Sequence, residues 1–311
     1  MPSGLAALLD DIAGITKLAA ASLDDVGAAA GKAGTKAVGV VIDDTAVTPG
    51  YAMGFTPERE LPIVWKIAVG SFRNKLLFLL PGALILSAFA PWAVTPILMC
   101  GGAYLCFEAT EKIIESFGHH EAGDEVEELA QSSAELEAQK VAGAIRTDLI
   151  LSGEIMAIAL ADVADRPLAI QAAALAVIGI ALTVVVYGVV GLIVKMDDIG
   201  LHLAKGASAP LRGFGRGLVK AMPVTMGALT VMGTGAMLWV GGGIIVHGLA
   251  HFGLHAIPKL VETGSHWAGS APVVGAVTGW MAMAAGSAVV GSIVGSVVVG
   301  VLHLVPRRKA H

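Results

Sequence analysis

Four long stretches of the chain contain no aspartate, glutamate, lysine or arginine, and this feature constrains the fold more than any other. The stretches are 76–107, 167–194, 221–258 and 267–306. A helix needs about 20 predominantly apolar residues to cross the hydrocarbon core of a bilayer, so each stretch is long enough for one crossing. Only 14% of the residues are charged and 55% are hydrophobic, which is too little charge to coat a water-soluble globule. The sequence therefore predicts an all-α, multi-pass transmembrane helical bundle with four spans.

The first apolar stretch contains three prolines, Pro81, Pro91 and Pro96. Because proline interrupts helical hydrogen bonding, two interpretations of 76–107 stay open. The stretch forms either a single span or a re-entrant hairpin that returns to the side from which it started. The second interpretation would place the acidic segment that follows it on the cytoplasmic side.

The two ends of the chain are more polar than its centre. Residues 1–75 are predicted to form a cytoplasmic or interfacial amphipathic helical region, because apolar residues recur at intervals of three and four from Leu5 to Leu18. Residues 76–306 form the predicted transmembrane domain, and 307–311 form a basic tail.

The polar segment after the first apolar stretch has two parts of different character. Residues 108–148 form a predicted acidic loop that is rich in glutamate and alanine. Residues 149–164 begin as an almost wholly apolar run that is shorter than a full span and carries Glu154. We predict an embedded, interfacial or re-entrant helix for this second part.

Lysine and arginine residues are distributed unevenly among the polar segments. If the four spans alternate in direction, one side of the membrane carries 15 of these residues and the other side carries five. Basic residues close to spans stay in the cytoplasm. Both termini are therefore predicted to be cytoplasmic.

Several ionisable residues lie inside or beside the apolar segments, where a charge is costly. Such groups usually face the interior of the bundle or a water-filled cavity, where carboxylates can bind ions and histidine can relay protons. We predict an ion, proton or substrate site formed by Glu108, Glu111, Glu154, Asp162 and His247. The alternative is that these groups lie at the level of the lipid headgroups, where polar side chains cost little.

A metal site is a further alternative. His247 and His251 are four residues apart and share one helix face, which is a common ligand spacing. With Glu108 they define a candidate site for a divalent metal ion, and no other cofactor is predicted. Catalytic motifs such as Gly-x-Ser-x-Gly and His-Glu-x-x-His do not occur in the sequence, so we do not predict an enzyme.

Charge and small residues indicate the partners. The net charge is −5 and no basic stripe occurs, which argues against a nucleic-acid partner. Ser287, Gly291 and Gly295 recur every four residues in the last apolar stretch, and this spacing lets helices approach closely in lipid. The close packing is either within the bundle or across a dimer interface. We predict a lipid bilayer, a homo-oligomer and a small solute or ion as partners.

The chain resembles the YedI-like family of bacterial inner-membrane proteins, a family of unknown function. The resemblance covers nearly the whole chain. It rests on the blocks Leu8 to Ala13, Arg59 to Trp65, Leu105 to Lys112, Gly143 to Ile155, Val194 to Asp198 and Val240 to Gly248. It implies a multi-pass protein of the bacterial inner membrane and implies no particular activity.

Three classes of function are compatible with these features. We expect a transporter or channel-like protein for a small solute or ion, because long spans interrupted by glycine and proline carry acids and a histidine at membrane depth. The second class is a non-transporting membrane scaffold that assembles through its small-residue faces. The third is a membrane metalloenzyme.

Overall fold

The computed structural model describes residues 24–31, 45–52, 55, 57–117, 133–206, 208–270 and 275–304. These residues are mostly helical and contain no strand, which confirms the predicted all-α class. We number the helices in chain order, with one π-helical segment between α2 and α3. They are α1 (Pro49–Ala52), α2 (Pro57–Arg73), the π segment (Asn74–Leu79), α3 (Leu80–Phe89), α4 (Pro91–Phe117), α5 (Ser133–Asp162), α6 (Leu168–Val194), α7 (Met196–Ala204), α8 (Ala209–His251), α9 (Ala256–Ala268) and α10 (Gly275–Leu304). The amphipathic pattern from Leu5 to Leu18 and the basic tail lie outside the described residues.

Five helices in the described residues are long and apolar enough to cross a membrane. They are Glu58–Phe89, Pro91–Ser116, Leu168–Val194, Ala209–His251 and Gly275–Leu302. The first of them runs without a break through α2, the π segment and α3. These helices indicate a membrane protein, as the apolar stretches predicted.

The described residues contain five candidate spans where four were predicted, because 76–107 is not one helix. Helix α3 ends at Phe89, and Ala90 leaves the helical region with φ −148° and ψ 59°. Helix α4 begins directly at Pro91, since a proline ring starts a helix well but cannot continue the preceding one. The predicted domain boundary at residue 75 lies inside the first candidate span.

Helix α5 lies inside the bundle and is surrounded by α2, α4 and α6. It runs parallel to α2 and antiparallel to α4 and α6. Along α2 and the π segment, Gly70 faces Ile145 of α5 and Leu79 faces Gly153. Along α4, Gly101 faces Ile150 and Leu98 faces Gly153. Along α6, Tyr187 faces Asp148 and Gly179 faces Met156. Helix α5 therefore packs along three of the candidate spans.

The apolar part of α5 is not a separate element. The run from Leu149 to Leu160 forms the second half of one continuous helix, Ser133–Asp162. The predicted embedded, interfacial or re-entrant helix over 149–164 is thus the second half of a longer helix, and its depth in a bilayer stays a prediction. The alanine- and glutamate-rich sequence from 133 to 148 is equally good helix-forming sequence, so the helix begins well before the apolar run.

Helices α4, α8 and α10 form a closely packed group that we call the glycine bundle. A methyl group on Gly102 of α4 would lie 2.8 Å from the carbonyl oxygen of Gly241 on α8. A methyl group on Gly242 of α8 would overlap the carbonyl oxygen of Ser287 on α10, and Gly291 of α10 meets α8 in the same way at Leu238. The small residues predicted to pack either within the chain or across a dimer interface therefore pack within the chain.

The second group, which we call the ionic bundle, consists of α2, the π segment, α3, α5 and α6. Its apolar side chains form two clusters, which are separated along the bundle by a layer of polar side chains. Ile63, Ile67 and Val186 pack together on one side, and Ile155 and Leu175 pack on the other. The short helix α1 lies between the two bundles and contacts both α5 and α8.

The helix directions bring the basic residues to one end of the molecule, which we call the basic end. Helices α2, α5 and α8 begin at this end, and α4, α6 and α10 finish there. The basic residues near it are Arg59, Lys66, Lys112, Lys140, Lys195, Lys205, Arg212, Arg216 and Lys220. Within the described residues, the opposite end carries Arg166 and Lys259.

Candidate functional site

A lysine and an aspartate form a completely buried ion pair in the ionic bundle. Lys75 Nζ lies 2.9 Å from Asp148 Oδ1 and 3.2 Å from Oδ2, and the two side chains are 1% and 2% exposed. Lys75 Nζ also donates to Ser71 Oγ at 2.5 Å. The Tyr187 hydroxyl donates to Asp148 Oδ1 at 3.0 Å. We call these four residues the ionic site.

Three of the four residues of the ionic site lie in candidate membrane spans. Lys75 belongs to the candidate span Glu58–Phe89 and Tyr187 to Leu168–Val194. Lys75 follows the exposed Lys66 by nine residues, which corresponds to about 13 Å along a helix with a rise of 1.5 Å per residue. The ion pair is therefore separated from the basic end by more than two helical turns of bundle.

Local structure explains how a lysine fits at this depth. Lys75 is the second residue of the π segment Asn74–Leu79, and a π turn widens a helix and displaces its side chains. Gly179 gives α6 room beside it, because a methyl group there would lie 3.7 Å from Lys75 Cβ and 2.8 Å from Met156 Cε. The ammonium group can therefore reach across to α5.

Electrostatics makes the pair interdependent. An isolated charge is expensive in a medium of low polarisability, whereas a hydrogen-bonded pair of opposite charges is tolerated. Lys75 and Asp148 neutralise each other, and Ser71 and Tyr187 supply further hydrogen bonds. Any event that neutralises one partner therefore changes the free energy of the other strongly.

A second polar cluster lies at the seam between the two bundles. The Tyr51 hydroxyl donates to Glu108 Oε1 and lies 2.9 Å from Thr147 Oγ1. Lys112 Nζ lies 3.0 Å from Glu108 Oε1 and 3.1 Å from the Tyr51 hydroxyl. Burial, and then the adjacent Glu108 carboxylate, raise the pKa of Tyr51, so its hydroxyl stays a donor. Because Thr147 directly precedes Asp148, this seam cluster connects to the ionic site through one helix.

A third charged cluster marks the basic end of α5. The Glu137 carboxylate accepts from Lys66 Nζ at 2.6 Å and from the Arg59 guanidinium, both on α2. Glu137 lies in the polar first turns of α5, before the apolar run that begins at Leu149. The hydrogen bond from Lys66, followed by the one from Arg59, holds the pKa of Glu137 below its ordinary value.

The depressed pKa of Glu137 predicts a specific acid sensitivity. The ionised carboxylate stabilises the folded state above its ordinary pKa of 4.5, and this contribution is lost as the pH falls through the lower, folded-state pKa. Between about pH 6 and pH 3 the melting temperature of the wild-type protein should therefore decrease more than that of Glu137→Gln, by roughly 2–4 °C. Thermal unfolding in detergent at a series of pH values measures the difference. Parallel curves for both proteins would contradict the assignment.

The family of the chain can be stated once this geometry is known. Residues 3–301 match a family described as protein of unknown function, DUF808. The chain belongs to the DUF808 family. The match covers nearly the whole chain, as the resemblance to a family of unknown function predicted, but its description contains no YedI-like name. No curated protein and no solved structure matches the chain.

The site residues predicted from sequence occupy separate places in this DUF808 protein. Glu108 belongs to the seam cluster, and Asp162 is the last residue of α5. Glu111 and Glu154 are half-buried on α4 and α5, whereas His247 is exposed on α8.

Glu108 and His247 do not meet. Met99 of α4 faces Gly248 of α8, next to His247, and Glu108 lies nine residues further along α4. That separation is about 13 Å along the helix axis.

The candidate metal ligands are likewise not brought together. Among the described residues, no three histidine, cysteine, aspartate or glutamate side chains are placed to hold a metal ion. Glu108 is engaged by Tyr51 and Lys112, and the His251 ring packs against Phe252. The metal site of this DUF808 protein stays a prediction.

Sequence reasoning missed Lys75, Asp148 and Tyr187. Lys75 directly precedes the charge-free stretch 76–107 and Asp148 ends the segment read as an acidic loop, so both were counted as flanking charges. The signal that could have revealed the site was Lys75 itself. Between Ile67 and Ala90 most residues are apolar, and the only other strongly polar side chains are Arg73 and Asn74. A lysine in such a position needs a buried partner.

Proposed function

We propose that this DUF808 protein is a transporter for a small solute or ion and that proton movement at the ionic site is coupled to transport. The observation that carries the proposal is the completely buried Lys75–Asp148 pair between apolar spans. A buried ion pair is a weak source of stability, because a well-packed apolar pair of similar size is often as stable or more stable. A charged pair at membrane depth is therefore best explained by a function that uses the charges.

The chemistry requires only the residues of the ionic site. Transfer of one proton from Lys75 Nζ to Asp148 leaves a neutral amine and a neutral carboxylic acid. Loss of a proton from Lys75 to water leaves the Asp148 carboxylate facing an uncharged amine, with Tyr187 still donating to it. In either state the attraction between π segment and α5 weakens, so protonation biases the packing of the ionic bundle.

The arrangement of two bundles supplies the element that can move. Close backbone contacts make the glycine bundle a rigid unit. Its seam with α5 is polar at one level, where Arg146 donates to the Tyr104 hydroxyl at 3.0 Å and Thr147 donates to Glu108 at 3.2 Å, and apolar at another, where Leu151 packs against Leu105. The polar contacts can exchange with water, so the ionic bundle can rotate against the glycine bundle while the ionic site changes its access from one side to the other.

The orientation follows from the basic end. Basic residues near spans are retained in the cytoplasm, and in the described residues only Arg166 and Lys259 lie near the opposite end. We place the basic end in the cytoplasm and, following the resemblance, the protein in the bacterial inner membrane. Helix α5 would then be a sixth crossing that is shielded from lipid by its neighbours.

Transport can be tested without knowing the solute. Vesicles containing the purified protein and a trapped pH-sensitive dye would be given a pH gradient under a potassium and valinomycin clamp. Monovalent cations, divalent cations, anions and neutral organic solutes would then be added in turn. We expect one class to discharge the gradient, and Asp148→Asn to slow that discharge at least about tenfold because it removes the negative charge of the site.

Lys66→Gln is the matched control, since it removes a lysine from the same helix whose side chain is 59% exposed. It should discharge the gradient at the wild-type rate. If no class of solute discharges the gradient, or if Asp148→Asn is as active as wild type, the proposed function is wrong. Glu154→Gln and His247→Ala, measured in the same assay, test the residues predicted from sequence.

A further inference from the structure

We propose that Arg146 and Tyr104 bind the oxyanion group of a ligand, either a carboxylate or a phosphodiester, that carries one negative charge. The inference goes beyond the proposed function, because it names a second site and the chemistry of its ligand. Arg146 lies on α5, and its guanidinium donates to the Tyr104 hydroxyl on α4 at 3.0 Å. The two residues therefore meet where the ionic bundle faces the glycine bundle.

The pair lies well inside a candidate span. Tyr104 belongs to the helix Pro91–Ser116 and precedes Lys112 by eight residues, which corresponds to about 12 Å along the helix axis. Arg146 is nevertheless exposed at the surface of the bundle. Arginine keeps its positive charge in proteins, and a charge beside apolar spans is costly unless an opposite charge or water accompanies it. The guanidinium therefore calls for a negatively charged neighbour.

Among the described residues, no carboxylate is free to serve as that neighbour. Arg146 forms no ion pair there, and its one hydrogen bond is the bond to Tyr104. The carboxylate whose charge acts most strongly on Arg146 is Glu108. Glu108 is already engaged by the Lys112 ammonium at 3.0 Å and by the Tyr51 hydroxyl. Arg146 and Lys112 thus carry two positive charges against one negative charge, and one further negative charge would balance the group.

Tyr104 holds the guanidinium in an orientation that suits an oxyanion. Nη1 of Arg146 donates to the hydroxyl, and the guanidinium carbon lies 5.7 Å from the centre of the Tyr104 ring. Phe107 packs beside the same ring, with 6.3 Å between the ring centroids. The donors on Nε and Nη2 stay available and can bind two oxygens of one carboxylate or phosphate in parallel. The Tyr104 hydroxyl accepts from Arg146 and can donate its own proton to the same ligand.

The surface around Arg146 leaves room for a ligand. Ala142 precedes Arg146 by four residues on α5 and is also exposed. Side chains at this spacing share one helix face, and a helical side chain leans over the turn that precedes it. The neighbour over which Arg146 leans is therefore only a methyl group, so the guanidinium can be reached from outside the bundle.

Charge and donor geometry together select the ligand. Parallel N–H donors match the paired oxygens of carboxylates and phosphates, whereas a halide ion offers one atom only. The group carries a single excess positive charge, so a doubly charged phosphate ester would leave a negative charge beside apolar spans. A carboxylate solute and the phosphodiester of a phospholipid headgroup share the required chemistry. The experiment has to distinguish these two sources.

Binding can be measured as thermal stabilisation of the purified protein in detergent. Sodium acetate and sodium dimethyl phosphate test a soluble ligand, with sodium chloride of equal ionic strength as the reference. Phosphatidylglycerol tests a lipid ligand, with diacylglycerol, which lacks the phosphate, as the reference. We expect at least one of these probes to raise the melting temperature by roughly 2–4 °C near saturation. A response to a soluble salt identifies a solute, and a response to phosphatidylglycerol alone identifies a lipid headgroup.

Substitutions assign the response to the site. Arg146→Gln should abolish it, because the charge and the paired donors are lost together. Arg146→Lys keeps the charge without the parallel donors and should raise the half-saturating concentration about tenfold. Tyr104→Phe removes one donor and should raise that concentration by roughly three- to tenfold. The matched control is Arg216→Gln on α8, which removes an exposed arginine whose Nε donates to the Arg212 carbonyl, and it should respond like the wild type.

The two proposals fail separately. Equal melting temperatures with every probe and its reference would overturn the oxyanion site, even if a solute discharges the vesicle gradient. A response that persists in Arg146→Gln would also overturn the assignment. A response that depends on Arg146, in a protein that discharges no gradient, would support the oxyanion site and overturn the proposed function.

Discussion

Replacing Lys75 alone with methionine is expected to lower the free energy of unfolding by about 3–5 kcal/mol, because the substitution leaves the Asp148 carboxylate buried without its counterion. The double variant Lys75→Met/Asp148→Leu removes both charges and fills the space with apolar atoms. Its stability should return close to the wild-type value or exceed it, since buried ion pairs are often no more stable than apolar packing. Thermal and denaturant unfolding of the wild type and of the single and double variants in one detergent give the coupling free energy.

Lys66→Met provides the comparison at the surface. Lys66 also pairs with a glutamate on α5 but is 59% exposed, so its loss should cost about 1 kcal/mol or less. A double variant that is no more stable than Lys75→Met would show that the pair is not coupled as the distances indicate. A Lys75→Met variant as stable as wild type would mean that water reaches Asp148.

Replacing Gly242 with alanine should have the second largest effect. The added methyl group would overlap the carbonyl oxygen of Ser287 and approach the Gly291 amide nitrogen to 2.7 Å. Both are backbone atoms of α10, so the overlap is relieved only if the two helices separate, and separation loosens the contacts along the whole crossing. Overpacking of this kind costs about 1–3 kcal/mol or more, and we expect the melting temperature to fall by roughly 5–10 °C.

Gly227→Ala is the matched control on the same helix. A methyl group at Gly227 meets nothing within 4 Å, so the substitution should leave the melting temperature unchanged or raise it slightly, because alanine is the better helix former. Equal melting temperatures for the two alanine variants would contradict the close approach of α8 and α10.

Hydropathy predicted the outer helices of this protein well and its interior poorly. The stretch 167–194 corresponds almost residue for residue to α6, Leu168–Val194, because a helix that faces lipid on one side and protein on the other carries no charge anywhere. Helix α5 packs against α2, α4 and α6 and buries Asp148 between helices, while its first turns carry exposed polar residues, so its composition resembles that of a polar loop. Pro91 indicates a break near Ala90, but the sequence does not distinguish a kinked helix from a turn between two helices. The backbone angles of Ala90 make that distinction.

The candidate site was harder to predict than the fold because its partners are distant in sequence. Lys75 and Asp148 are 73 residues apart, and Tyr51 and Glu108 are 57 apart. Helical periodicity relates residues within a few turns only. Spacing therefore selected neighbours such as His247 and His251, which share a helix face but are not grouped with a third metal-ligating side chain among the described residues.

The position of α5 inside the bundle also constrains how the protein is made. The π segment leaves the ribosome with Lys75 long before Asp148 exists, and α6, which packs against the ion pair, is synthesised later still. An unpaired lysine or aspartate inserts into lipid at a substantial cost. We therefore expect α5 and α6 to insert together once translation has delivered α6, before α8 and α10 follow. The ion pair should form only at that step.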